Sequence, residues 1–232
     1  MKKKVLCIIL ARTGSKRLKK KVLKKFGKNE PTVFDFFLKR IKHSNQIDKI
    51  VLATTSNFDD KILIRKAQKK GVETFSGSQN NVLDRVFNVL KFFEDYQYLV
   101  RANVDCPFFM PSILDETIKK FKSSQKDIYS PFYKNSYPFG FSFCVFKLKT
   151  IFKIKKKAKQ KKYKEHIENF CFDNKSMFKI FEPKIKRFNK PNIRITLDTE
   201  KDFQKMKKIY KYLKKTPVKF QPQKLIKYFE SL

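Results

Sequence analysis

The sequence predicts an α/β protein built on a mostly parallel, doubly wound sheet. Three observations lead there. Strand-like and helix-like segments alternate through the N-terminal half. The first apolar run, Val5–Leu10, has no polar interruption, as in a strand covered on both faces. Two of the strand-like runs end in loops dense with functional side chains, which is where open α/β sheets bind ligands.

Taken in order, 5–10 reads as the first strand. Residues 33–42 carry apolar side chains at Val33, Phe34, Phe36, Phe37, Leu38 and Ile41, a helical spacing. A second strand is expected over 49–54. An amphipathic helix over 59–70 ends at Gly71, which suits a left-handed helix cap. Then come a short strand at 72–75, a helix at 82–93 and a strand at 98–102 that runs into Asn103-Val104-Asp105-Cys106-Pro107. A helix over 111–122 starts with Pro111, in a first turn where proline is tolerated. The second half is less regular. Strands are expected at 127–132, 141–146, 178–181 and 192–197, and a helix at 202–214. The lysine-rich run 153–164 reads as a solvated helix or loop. One domain accounts for the chain: a nucleotide-binding half (1–125), an acceptor-binding and dimerisation excursion (126–190), and a closing metal-binding strand with C-terminal helices (191–232).

The composition supports a packed core, with 41% hydrophobic residues and 26 Phe among 232 residues. The net charge of +35 raises affinity for polyanions, yet the lysines are spread over almost every segment, as drift at tolerant surface positions would leave them. A nucleic-acid-binding role would rest on charge alone, with no recognisable motif behind it. Cys7, Cys106, Cys144 and Cys171 are widely spaced, which argues against a zinc site or a disulfide framework and points to reducing cytoplasm. The N-terminal apolar run is too short for a signal peptide or a bilayer span, so no membrane insertion is expected.

The chemistry concentrates after the first strand, in Ala11-Arg12-Thr13-Gly14-Ser15-Lys16-Arg17-Leu18 and Lys21. Arg12, Arg17 and Lys21 can neutralise a triphosphate, and Gly14 lets the backbone approach a ligand. Asp105 and Asp198, at the ends of strand-like segments, can hold a magnesium ion, which takes few carboxylates alongside phosphate oxygens and water. Asp105 has the alternative of closing a turn, and Asp198 can equally cap the following helix. Arg85 can pair with Glu94 or another acid. His166 has a structural alternative, and Cys106 reads as a packed small residue.

The opening motif, with Lys21-Val22-Leu23, resembles that of the cytidylyltransferases, a family that includes the CMP-Kdo and CMP-acylneuraminate synthetases. Further stretches match in order, nearest to the spore coat polysaccharide biosynthesis protein F type. They are Ala53-Thr54-Thr55, Gly77-Ser78 with Val82-Leu83-Asp84-Arg85, Arg101 with Asp105-Cys106-Pro107, Glu165-His166, and Thr196 with Asp198-Thr199 and Asp202. The resemblance implies a three-layer α/β/α nucleotide-diphospho-sugar transferase fold. It implies transfer of CMP from CTP to an acidic sugar with release of pyrophosphate, Mg²⁺ as cofactor, and a homodimer. It gives Arg12, Lys21 and Asp105 catalytic roles, and Asp105 and Asp198 the metal. Leu10, Ala11, Gly14, Ser15, Arg17, Ala53, Thr54, Ser78, Asp84, Arg85 and Arg101 join Arg12 and Lys21 around the nucleotide. Tyr137, Phe139, Gly140, Glu165 and His166 fall to the acceptor.

Two departures from the family pattern stand out. Lys19-Lys20 replaces a Pro-Gly pair before Lys21, removing a φ-fixing and a permissive residue. Pro138-Phe139-Gly140-Phe141-Ser142-Phe143-Cys144 contains no carboxylate where relatives often carry several. A pocket lined by Phe139 and Phe141 is expected to prefer a different acceptor from an acid-lined one and to tolerate a negatively charged acceptor better. Transfer of CMP to a phosphorylated or phosphonate-bearing small molecule is an alternative to the acidic sugar. A catalytically weakened family member is the further alternative.

Overall fold

The uninterrupted apolar run forms β1 (Val5–Leu10), a strand with all six residues buried. The computed structural model describes residues 3–131, 133, 138–182, 190, 193–215 and 222–231. After β1 come α1 (Val33–Ile41), β2 (Lys49–Thr55), α2 (Lys61–Gln68), β3 (Glu73–Gly77), α3 (Val82–Leu90), β4 (Tyr98–Asn103) and α4 (Pro111–Ser123). The second half adds β5 (Ile128–Tyr129), β6 (Cys144–Lys147), α5 (Leu148–Lys157), α6 (Ile167–Asp173), β7 (Ile180–Phe181), α7 (Glu200–Lys215) and α8 (Pro222–Glu230).

The described strands form one seven-stranded sheet in the order β3-β2-β1-β4-β6-β5-β7. β1 pairs in parallel with both β2 and β4, and β6 runs antiparallel to β4 and β5. Val5, Cys7 and Ile9 project into one core layer, with α1, α2, α4, α7 and α8; Leu6, Ile8 and Leu10 project into the other, with α3, α5 and α6. Burial on both faces is why β1 carries no polar residue. Strand order reverses between β1 and β4, so their C-terminal ends open the crevice in which doubly wound sheets bind ligands.

The N-terminal elements match expectation closely. Gly71 takes φ +67° after α2, as a left-handed helix cap requires. The second half differs in several places. Within the expected 127–132 strand the sheet takes Ile128–Tyr129, Phe132 lying outside the described residues, and the 141–146 strand starts later, at Cys144, because Gly140 turns the chain before it. The 192–197 strand does not join the sheet. Within it Arg194 makes a single bridge to Phe139, and Leu197 donates its amide to the Asp105 carbonyl at 2.8 Å. Its hydrogen bonds thus go to two loops rather than to a neighbouring strand. Asn192 lies outside the described residues. The lysine-rich run splits, its first part closing α5, while α6 and α8 arise where no element was expected. No helix among the described residues is long and apolar enough to cross a membrane.

Candidate active site

The loop after β1 folds over Thr13. The Thr13 carbonyl accepts the amides of Ser15 at 2.9 Å and Lys20 at 3.1 Å. Thr13 is tied down from below by Asp60, a fully buried carboxylate. Asp60 Oδ1 accepts both the amide and the hydroxyl of Thr13 at 2.7 Å, and its Oδ2 accepts the Thr54 hydroxyl at 3.0 Å and the Thr55 amide at 3.2 Å. Burial opposes ionisation of Asp60, but the hydrogen bonds from Thr55, Thr13 and Thr54 outweigh it and hold the carboxyl below the usual range. Asp60 therefore locks the cationic loop to the end of β2. Nothing local in the sequence marks Asp60, since an acid at a helix start is unremarkable by itself.

Lys20 occupies the place of the expected glycine and takes the left-handed conformation, φ 51°, ψ 31°. The loop keeps a glycine-type backbone without the glycine, at a cost of about 1 kcal/mol. The exposed ion pair of Lys20 with Asp59, 3.6 Å apart, offsets little of that. Lys20→Gly is accordingly expected to stabilise the protein by about 0.5–1 kcal/mol and raise Tm by roughly 1–4 °C, measured by thermal denaturation. Gly14, by contrast, has no protein atom within 4 Å of where a Cβ would stand, so its backbone faces open space.

Lys21 lies at the centre of the site. Its ammonium donates to Asp105 Oδ2 at 2.9 Å, to the Leu197 carbonyl at 2.7 Å and to Asp198 Oδ1 at 3.2 Å. The two predicted metal ligands, from distant parts of the chain, thus converge on one cation. The Leu197–Asp105 backbone hydrogen bond brings them together. Asp198 is not the helix cap. Thr199 caps α7, its hydroxyl accepting the Asp202 amide at 3.2 Å while Asp202 Oδ2 accepts the Thr199 amide at 2.8 Å. This reciprocal arrangement leaves the Asp198 carboxylate facing the cations: Arg17 at 2.8 Å on Oδ1, and Arg194 on Oδ2. Burial works against the charge on Asp198, yet Lys21, Arg194 and Arg17 hold its carboxyl below the usual range.

Other predicted residues fall in two groups. Arg12 reaches the Gln79 carbonyl at 3.3 Å and Glu165 at 3.4 Å, keeping a partly exposed guanidinium at the crevice. Ser15 is half-buried beside it, and Ser78, Glu165 and His166 are exposed. Asp84 pairs with Lys155 at 2.6 Å. Arg85 is buried and donates to the carbonyls of Ser78 and Gln79, shaping that loop instead of pairing with Glu94. Burial, with the neighbouring Arg12 charge, lowers the pKa of Arg85. The second group is buried under the crevice. Leu10 and Ala53 pack in the core layer beneath α3, Ala11 packs in the opposite layer, and the Thr54 hydroxyl is spent on Asp60. Arg101 donates to Glu168 at 2.8 Å with both side chains about 4% exposed, so this guanidinium faces α6. Burial pulls the pKa of Arg101 down, but the Glu168 charge, with smaller help from Cys144 and Asp105, outweighs it and raises the pKa.

On the expected acceptor side, Tyr137 lies outside the described residues. Phe139 is half-buried, and Gly140 takes φ +102°. Phe141 corrects an expectation: it is fully buried in the core and does not share the half-buried setting of Phe139, because the turn at Gly140 sends consecutive side chains to different sides. Arg194, unnoticed in the sequence, stacks on Phe139 with its guanidinium carbon 4.6 Å from the ring centroid. Its position four residues before Asp198 was the one available signal.

Two carboxylates sharing one cation, ringed by arginines at the switch point of the sheet, form a set suited to a divalent ion and a triphosphate. No denser cluster of metal-ligating side chains occurs among the described residues. Comparison with known proteins agrees with this chemistry. Residues 6–228 match the cytidylyltransferase family model. An uncharacterised protein of Methanocaldococcus jannaschii is 36% identical over 214 residues, spanning 91% of this chain and 84% of that protein. The spore coat polysaccharide biosynthesis protein SpsF of Bacillus subtilis is 30% identical over 212 residues, spanning 89% of this chain and 86% of its own. The solved structure of a cytidylyltransferase from Leptospira borgpetersenii superposes with a TM-score of 0.89 at 27% identity, over 99% of this chain and 95% of that one. The chain belongs to the cytidylyltransferase family and is a CTP-dependent nucleotidyltransferase.

Proposed function

We propose that the protein transfers CMP from CTP to an acidic sugar of the 2-keto-3-deoxy class, releasing pyrophosphate, for the assembly of a surface glycan. The observation that carries the reading is the convergence of Asp105 and Asp198 on the Lys21 ammonium, with Arg17 on Asp198. The name of the Bacillus subtilis relative supports the glycan context. The loss of acids from 138–144 suits an acceptor that is itself an anion.

In this reading Asp105 and Asp198 would hold a magnesium ion, which, when bound, neutralises phosphate oxygens and makes the α-phosphorus more electrophilic. Lys21 and Arg17 exchange their carboxylate partners for oxygens of the triphosphate. Arg12, steadied by Glu165 and the Gln79 carbonyl, joins them. These cations orient the pyrophosphate leaving group and stabilise the charge it gains. The acceptor oxygen bonds to the α-phosphorus as the bond to the bridging oxygen breaks, and the hydroxyl proton passes to solvent. The reading takes the protein to be cytoplasmic and homodimeric, with no nucleic-acid partner.

Pyrophosphate release with CTP and Mg²⁺ across a panel of sugar acids, neutral sugars and phosphonates tests it. Turnover confined to neutral sugars would sink the acceptor class. With Mg²⁺ present, CTP is expected to raise Tm more than ATP does at equal concentration, read by thermal shift. Equal shifts would remove the cytidine preference.

A further inference from the structure

We propose that Arg194 is the receptor for the acceptor's anionic group, gripping an oxyanion carried beside the attacking oxygen. This rests on the nucleotidyl-transfer reading and assigns its acceptor side a residue. Arg194 is held in place twice. Its backbone is clamped against Phe139, whose amide donates to the Ile193 carbonyl and whose carbonyl accepts the Ile195 amide, both at 2.8 Å. Its guanidinium lies 4.6 Å from the Phe139 ring centroid, within cation–π range. The tip reaches Asp198 Oδ2, while the side chain remains 53% exposed, so other N–H groups of the fork face solvent.

Asp198 carries more positive charge than it needs. Lys21 and Arg17 share its Oδ1 and Arg194 takes its Oδ2. Lys21 and Arg17 come from the loop after β1 and can follow the triphosphate. Arg194 comes from the other side of Asp198, from the stretch that packs on Pro138–Gly140, and its stacking keeps it there. A divalent cation taking up Asp198 would repel the guanidinium and free its donors. Neither acid in the first turn of α7 can replace Asp198, because Asp202 is spent on the Thr199 cap and Glu200 pairs with Lys24 at 3.0 Å. The 138–144 stretch offers no carboxylate either. A fixed, desatisfied guanidinium fork next to the transfer point matches a carboxylate or a phosphonate, both of which it can bind bidentately. An oxyanion bound there lies close to the phosphorus being attacked, so the favoured acceptor carries its anionic group adjacent to its nucleophilic oxygen.

The test uses the full chain with Mg²⁺ and saturating CTP. Pyrophosphate release is followed with 2-keto-3-deoxy-manno-octonate as the carboxylate probe and hydroxymethylphosphonate as the phosphonate probe, each with its hydroxyl on the carbon next to the anionic group. Calorimetry measures CTP affinity in parallel. Arg194→Gln is expected to raise KM for the preferred probe about 10-fold or more, while CTP affinity changes less than about 3-fold. Arg194→Lys should recover part of the loss through its charge without the fork. The probe that responds identifies the oxyanion as carboxylate or phosphonate. An unchanged KM in Arg194→Gln overturns the proposal, as does a parallel loss of CTP affinity, which would make Arg194 only a support for Asp198. Tight CTP binding by the wild type with no turnover of either probe also overturns it, leaving the nucleotide site intact. Absence of CTP binding in the wild type would instead sink the functional reading beneath it.

Discussion

Lys21→Ala is expected to lower turnover by about 10²–10³-fold while the protein stays folded. The Lys21 side chain is only 14% exposed, and its ammonium touches both Asp105 and Asp198. In a loaded site it is placed to hold the leaving pyrophosphate, where charge grows as the bond breaks. Its removal should therefore act more on kcat than on the CTP dissociation constant, because Arg12 and Arg17 still bind the ground-state triphosphate. Stability should change little: Asp198 retains Arg17 and Arg194, and Asp105 is partly exposed to water. Asp105→Ala should produce a comparable loss of turnover with a different signature, since its defect lies in holding the metal and is partly relieved at high Mg²⁺ or Mn²⁺. Steady-state pyrophosphate release, alongside thermal denaturation, separates these outcomes. Near-normal rates in both variants would remove the site assignment.

The second large effect is expected at Gly140. A Cβ there would stand 2.3 Å from the Ile195 carbonyl oxygen and 3.0 Å from its carbon, and the residue's φ of +102° is one that side chains rarely adopt. The obstacle is backbone and cannot swing aside. Gly140→Ala must push the 193–195 stretch away and weaken the two hydrogen bonds that clamp Phe139 to Ile193 and Ile195. Strain and lost bonding together amount to about 3 kcal/mol, lowering Tm by roughly 6–12 °C. Because Arg194 and Asp198 ride on that stretch, activity should fall even below the melting transition. A Tm within a degree of wild type would show that the two loops are not packed as described.

The order of elements in the N-terminal half was legible because β1, β2 and β4 are largely buried and each helix is amphipathic, so period and apolar run length report directly on structure. The second half obeyed other constraints. Residues 192–197 have a strand's composition, yet Leu197 and Arg194 bond to loops, a choice that no property local to the segment encodes. The same holds for Lys20. Its lysine side chain argues for an ordinary backbone, whereas the loop around Thr13 forces the left-handed one. At Asp198, capping and metal binding were equally open from sequence. The capping box formed by Thr199 and Asp202 removes the capping role from Asp198, and both residues stood in plain view.

By itself the sequence determined the doubly wound sheet, the cationic loop after its first strand and the identity of two aspartates as partners for that loop. These follow from hydrophobic period, residue chemistry and a motif, all properties of short segments. Only the tertiary structure decided that Lys21 would meet Asp105 and Asp198 across 84 and 177 residues of chain, that a buried Asp60 would fasten the loop, and that Arg194 would stack on Phe139. The physical reason is common to all three. Each contact depends on strand order and on which backbone groups remain unpaired once the sheet has formed, and side-chain spacing along the chain carries no record of either.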